Sequence, residues 1–248
     1  MSSQVNYKSA QGFSLIELLV VLLITSMLLA ILVSALKKVK EKAQETICQS
    51  NLGQIGLTIH MYLNNNNNKS YNYRGGANDF HWVDSSGKYL DPNDVDAYWG
   101  VAYKDYIYNS KIFGCPSFQR VSKLIYPVDP ILIRDSAYGL NHFFCGLNTN
   151  RISSPMHFII THDHVEPKLE HGSDDKFHND GVGTLNLKHF REGGVYENFY
   201  RGIFRHSILY SEPFRTGGNA NVLWLDNHVS SLHETMGDDV PEFWYSGK

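Results

Sequence analysis

The chain has 248 residues, which at about 150 residues per domain predicts one or two domains. Hydrophobic residues make up 42%, enough for a packed core, and this excludes a disordered or fibrous chain. With 22 basic and 25 acidic side chains the net charge is −3, so no nucleic-acid partner is expected, since such binding rests on a basic surface that neutralises phosphates.

The mean hydropathy of −0.30 describes an ordinary soluble protein only because it averages over an unusual N-terminus. Phe13 to Leu36 reads FSLIELLVVLLITSMLLAILVSAL, 24 residues with a single charge. A spanning helix needs about 20 apolar residues, so this segment can cross a bilayer. It is too long for the apolar core of a cleaved signal peptide, about 7–15 residues, and no A-x-A-like site follows it. It is also apolar on every face, which sets it apart from the core helix of a soluble domain. Glu17 is the exception within it. A carboxylate at mid-membrane costs roughly 2.5–3.5 kcal/mol on insertion scales, so it needs a partner or a task unless it lies near one end of the span and reaches the headgroups.

Gly12-Phe13-Ser14-Leu15-Ile16-Glu17 resembles the processing site of type IV prepilins and type II secretion pseudopilins. In that family a peptidase on the cytoplasmic face cuts after the glycine, the new terminal Phe is N-methylated, and the acid at mature position five is needed for assembly. Carried over, the resemblance makes residues 1–12 a cleaved leader ending at Gly12, Phe13 the methylated terminus and Glu17 the assembly acid. It implies several partners: a prepilin peptidase, other pilin or pseudopilin subunits in a homo- or hetero-filament, an inner-membrane assembly platform and the lipid bilayer. It also implies a single-pass protein of the inner membrane, with a cytoplasmic N-terminus and the head outside. The physics fits this implication. The methylated Phe13 amine is a cation, and pairing it with Glu17 of the next subunit would relieve a buried carboxylate. Such a contact is heterologous and does not close, so it builds a helical filament. Lys37, Lys38, Lys40 and Lys42 argue the other way, because the positive-inside rule alone would keep that flank in the cytoplasm. The processing motif is the more specific signal and takes precedence.

Residues 13–36 are thus the predicted membrane helix, and residues 37–64 its continuation outside the membrane. Residues 37 to 63 lack Pro, and Cys48, Leu52, Ile55, Ile59 and Tyr62 form a one-sided helical stripe. A helix from Phe13 to about Leu63 would be roughly 75 Å long, the stalk of a pilin shape. The run Asn64 to Asn68 ends it, since Asn is a weak helix former that tolerates left-handed turns.

Residues 65–248 form the predicted head. Candidate strands are Tyr138–Phe144, Met156–His162, Thr184–Phe190, Ile203–Leu209, Asn221–Leu225 and His228–Leu232. Asp226-Asn227 between the last two is a two-residue hairpin signal of type I′. The predicted fold class is α+β: a long N-terminal helix packed on an antiparallel sheet. A narrower resemblance covers most of the chain. Cys48-x-x-Asn51-Leu52-x-Gln54-Ile55-Gly56, Cys115-Pro116-Ser117, Tyr138-Gly139-Leu140-Asn141, Arg205-His206 and Asn221 to Val229 are similar to a bacterial prepilin-like branch with a C-terminal H-x9-DG-like signature. Asn227 replaces the glycine of that signature, and the spacing from His206 to Asp226 implies an inserted loop near Pro213 to Gly218.

No catalytic residues are expected. His162, Asp163 and His164, with His171, His178 and Asp180, are the best metal-like cluster, since His and carboxylate ligate zinc or manganese; exposed surface histidines are the plainer expectation. Asp163 is also expected to meet His206 and Asp226 in a hydrogen-bond cluster. Asp91, Asp94 and Asp96 offer oxygen ligands for a structural calcium, against the plainer reading of solvated loop acids; no other cofactor is expected. Cys115 and Cys145 are candidates for a disulfide outside the cytoplasm, with Cys48 read as core, although spacing does not fix connectivity. The reading that results is a structural pilin-like or pseudopilin subunit without enzymatic activity. A membrane-anchored extracytoplasmic enzyme or ligand-binding protein with a His/Asp metal site is the alternative.

Overall fold

A computed structural model describes residues 12–73, 81–125, 136–164, 197–210, 212, 215–235 and 240–247. The expected strand Thr184–Phe190, His171, His178, Asp180 and residues 1–11 lie outside them. The chain divides into two compact units, Met1–Lys40 and Glu41–Lys248.

Helix α1 runs over Leu15–Asn65. In the first unit it is apolar all round, and none of its most apolar 18-residue stretch is buried. Its exposed hydroxyls bond back to the helix: Thr25 Oγ1 donates to Val21 O at 2.9 Å, Ser26 Oγ to Leu23 O at 2.9 Å and Ser34 Oγ to Ile31 O at 2.8 Å. These three hydroxyls therefore present hydrocarbon with satisfied donors, and Glu17 is the charged exception in the apolar stretch.

In the second unit α1 turns amphipathic, and its stripe is core. Cys48, Leu52, Ile55 and Ile59 are fully buried, with Leu63 close behind and Tyr62 partly covered. The helix stops in the asparagine run, where Asn67 and Asn68 take φ of 53° and 57°. Asn and Gly are the residues that enter this left-handed region at least cost.

Among the described residues the stripe packs on a four-stranded antiparallel sheet of order β1-β2-β3-β4: β1 Tyr138–Leu140, β2 Ile159–Asp163, β3 Asn219–Trp224 and β4 Val229–His233. This is the expected α+β, pilin-like architecture. The register pairs Tyr138 with Asp163 and Thr161 with Leu223, which puts Tyr138, Thr161, Asp163, Asn221 and Leu223 on the α1 side. Gly56 lets the helix approach, since a Cβ there would lie 2.9 Å from Leu223 Cδ1. The opposite face is covered by α4, Phe243–Ser246: Trp244 meets Trp224 edge-on, and the Tyr245 ring stands over His162. Both central strands are thus buried on both faces, which explains why β2 shows no polar alternation.

Helix α2, Pro116–Ile125, follows Cys115, and helix α3, Glu197–Ile203, leads into Phe204 to Tyr210. A 3₁₀ helix, Trp99–Tyr106, brings Trp99 into an aromatic cluster with Trp82, Tyr98 and Phe113. Trp99 Nε1 and Tyr98 OH both donate to Tyr138 O, at 2.9 and 3.2 Å.

The structure corrects three expectations. Ile203–Leu209 is not a strand: Ile203 ends α3, Ser207 turns at φ 52°, and only His206 bridges to Asn219. The β3–β4 connection is a four-residue loop, Leu225 to His228, with only Asn227 at positive φ (73°), so it is not a two-residue type I′ turn. Leu225 is drawn into the core, where its N–H donates to Phe158 O at 2.8 Å, and this takes it out of the ladder. Finally, β1 is shorter than expected because Asn141 caps a 3₁₀ turn at His142–Phe144.

Candidate functional site

The first unit carries one polar device at its N-terminal end. Ser14-x-x-Glu17 closes a capping box: Ser14 N donates to Glu17 Oε2 at 2.8 Å, and Glu17 N donates to Ser14 Oγ at 3.2 Å. Sequence reasoning missed this, although the S-x-x-E spacing before an apolar run signals it. Phe13, just outside the box, is 74% exposed, and a Cβ on Gly12 would meet nothing within 4 Å. The Gly12–Phe13 peptide bond is therefore open, with an anion held one turn away.

The second unit holds a buried ionic knot. Asp163 and Arg205 are wholly buried and His206 almost so. Arg205 Nη2 donates to Asp163 Oδ1 and, at 2.7 Å, to Ala137 O, while Nη1 donates to His164 O at 2.9 Å and Gly202 O at 3.1 Å. The guanidinium carbon also lies 4.7 Å from the centre of the Phe118 ring, a cation–π contact. Asp163 Oδ2 accepts from Asn221 N at 2.7 Å and lies 2.9 Å from His206 Nε2. Burial pushes the Asp163 pKa up, but Arg205, His206 and the Asn221 N–H outweigh it and hold the carboxyl below its ordinary range. The pair is closed off from solvent, with both guanidinium Nη atoms and both carboxylate oxygens engaged. It ties β2, β3 and the segment after α3 together.

Beside the knot a disulfide joins Cys48 of α1 to Cys115 at the start of α2, with Cα atoms 5.2 Å apart. This corrects the expected Cys115–Cys145 pairing. Cys145 lies outside the bridge, near Asn141 O, and the Cys48 position on the stripe is what brings its sulfur to Cys115. Around the bridge, Asn51 Nδ2 donates to Gly114 O at 2.9 Å, Tyr138 OH to Cys48 O at 3.2 Å, and Gln49 Nε2 to Asn221 Oδ1 at 3.0 Å. Ser207 Oγ donates to buried Glu45 Oε2 at 2.8 Å. The segments Cys48–Asn51, Cys115, Tyr138 and Arg205-His206, scattered in sequence, thus meet at one helix–sheet junction.

The other candidates do not assemble. Asp226 stays out of the Asp163–His206 cluster: antiparallel pairing sets Asp163 beside Asn221, and Asp226 lies beyond the far end of β3, where its Oδ1 accepts from His228 N at 3.1 Å. His162 and His164 share a face, their rings 5.4 Å apart, but are buried, against the expectation of surface histidines; His162 Nδ1 lies 2.9 Å from Asp163 O. Asp91 and Asp94 accept from Asn93 N and Asp96 N, at 2.9 and 3.0 Å, and so fold their own loop. Among the described residues, the group that brings three metal-ligand atoms within 4.8 Å of one another is Cys48, Cys115 and His206.

Taken together, these features define an α+β head joined to a helix that is long and apolar enough to cross a membrane. Residues 7–33 match the family model described as the prokaryotic N-terminal methylation motif. The chain therefore carries an N-terminal methylation motif of the prepilin type, which supports a type IV pilin- or pseudopilin-like precursor. No curated protein and no solved structure matches the chain.

Proposed function

We propose that this chain is a structural subunit of a type II secretion or type IV pilus-like filament. A prepilin peptidase cuts between Gly12 and Phe13 on the cytoplasmic face, Phe13 is N-methylated, and Glu17 pairs with the methylated terminus of a neighbouring subunit at an inner-membrane platform. The head lies outside the cytoplasm. The observation that carries this reading is a glutamate in a methylation-motif helix that is apolar on every side and unburied. The capping box supports it further, because Glu17 is presented at the helix start, next to the bond to be cut. The head contributes packing and cross-linking, and its buried ionic groups serve that role.

The test is the intact mass of the native protein from its own cells. A mature chain that begins at Phe13 with one added methyl group is the expected result. A chain still carrying Gly12 would refute the processing step. The orientation is tested separately by a reporter enzyme fused after Lys248, and activity in the cytoplasm would overturn it.

A further inference from the structure

The sulfurs of Cys48 and Cys115 and the imidazole of His206 lie within 4.8 Å of one another, and all three residues are buried. His206 Nε2 is 3.9 Å from Cys115 Sγ. Its other nitrogen, Nδ1, is buried with no hydrogen-bond partner, so this imidazole is not fully used by the protein's own network. We infer that, when the disulfide is reduced, Cys48, Cys115 and His206 form a site for a borderline-soft divalent ion of the zinc class, and that bridge and metal are alternative cross-links at the same junction.

Chemistry and charge both point to this. Two thiolates and an imidazole are donors that favour zinc, with Zn–S near 2.3 Å and Zn–N near 2.0–2.1 Å. Sulfurs around a tetrahedral zinc stand roughly 3.8 Å apart, so the two bridged sulfurs must separate once the bond is broken, whereas Cys115 Sγ and His206 Nε2 already lie 3.9 Å apart. Reduction by a dithiol breaks the S–S bond: the reductant becomes a disulfide, and each cysteine sulfur gains one electron and one proton. Zinc displaces both thiol protons and forms two Zn–S bonds, and His206, as the neutral imidazole with its proton moved from Nε2 to Nδ1, forms one Zn–N bond through Nε2. Two thiolates with one divalent cation sum to zero charge, as the disulfide does, so the buried junction acquires no unpaired charge. Asp163 tolerates the change because Arg205 and the Asn221 N–H still hold it when His206 turns to the metal. Its Oδ2, 2.9 Å from Nε2, is the oxygen at hand for a fourth position. Either cross-link ties α1 to the start of α2.

The test uses the full chain in detergent, reduced under anaerobic conditions with a phosphine and titrated with Co(II). The expected result is one equivalent bound, an intense near-ultraviolet sulfur-to-cobalt band, tetrahedral visible bands and displacement by Zn(II). The oxidised chain should show none of these. Cys145→Ser should keep the band and Cys48→Ser/Cys115→Ser should lose it. His206→Ala should weaken binding at least about tenfold, the loss seen when even an outer partner of a metal ligand is removed. Zn(II) should also slow alkylation of Cys48 and Cys115. Absence of a thiolate band in the reduced chain overturns the inference, whether or not circular dichroism shows the fold retained. Equal uptake by the oxidised chain, or a band lost only with Cys145→Ser, overturns it as well. None of these readouts depends on leader cleavage or filament assembly, so the site and the filament reading can fail separately.

Discussion

At the scale of single residues, two carboxylates do opposite things with the same chemistry. Glu17 is exposed: its carboxylate accepts from the Ser14 N–H while its own N–H donates to Ser14 Oγ, so a cation from a neighbour can still reach the carboxylate. Asp163 is sealed and saturated. Glu17→Gln should therefore leave membrane insertion intact and remove incorporation into filaments, read as loss of the sedimentable polymer with an unchanged membrane-bound pool. Polymer formation equal to wild type would sink the pairing. For Asp163 the consequence is stability. Removing one partner of a buried pair typically costs about 3–5 kcal/mol, so Asp163→Ala or Arg205→Ala should each unfold the head at much lower denaturant. Replacing both by apolar residues should cost less than the two single changes summed, in a double-mutant cycle of urea melts. The pH dependence follows from the direction of the shift. The folded pKa lies below the unfolded value near 3.9, so between the two the unfolded chain binds more protons. The contribution of Asp163 is complete above about pH 4 and is lost as pH falls through the folded value. Asp163→Asn should flatten that acid limb.

At the scale of elements, the difference between legible and illegible stretches is physical. The long helix could be read because its first half is apolar without interruption and its second half repeats at helical spacing, and both signals are local. β3 and β4 could be read because turn residues flank them. Ile203–Leu209 has strand-forming composition, yet the chain there is bent around Gly218, whose missing side chain lets Phe204 O and His206 O come within 2.5 and 2.7 Å of the Cβ position. Those neighbours are backbone atoms and cannot swing aside. Gly218→Ala should therefore displace the Arg205-His206 segment and lower the thermal midpoint of the head by several degrees, whereas Gly53→Ala, with open space around it, should raise helix stability slightly. The expected meeting of Asp163, His206 and Asp226 was half legible. The sequence places acids and histidines on strands, but only the antiparallel register decides that Asp163 faces Asn221. The disulfide was illegible for the same reason, since a helical-stripe cysteine gives no sign of which loop will pass it.

At the scale of the whole molecule, the core lies entirely in the second unit. Every buried residue of α1 lies between Glu45 and Leu63, and none comes from the first unit. The stripe residues Cys48, Leu52, Ile55 and Ile59 are as much a part of the head as the sheet they cover, and the Cys48–Cys115 bridge closes a loop spanning 67 residues. On the chain-entropy account such a bridge contributes about 4 kcal/mol. A chain beginning at Glu41 keeps this core, the bridge and the 2.8 Å ion pair of Glu41 with Arg120. It also discards the stretch whose apolar side chains have no protein to cover them, and such a surface drives association in water. It should therefore be monomeric without detergent and unfold in one transition, and reduction should lower the midpoint. A chain beginning at Asn66 should fail to fold, because removing the stripe leaves the apolar face of β3 open and takes away one half of the bridge. Size-exclusion chromatography and thermal melts of the two truncations decide the matter. If the Asn66 chain proved as stable as the Glu41 chain, the helix would be only a stalk and no part of the head's core.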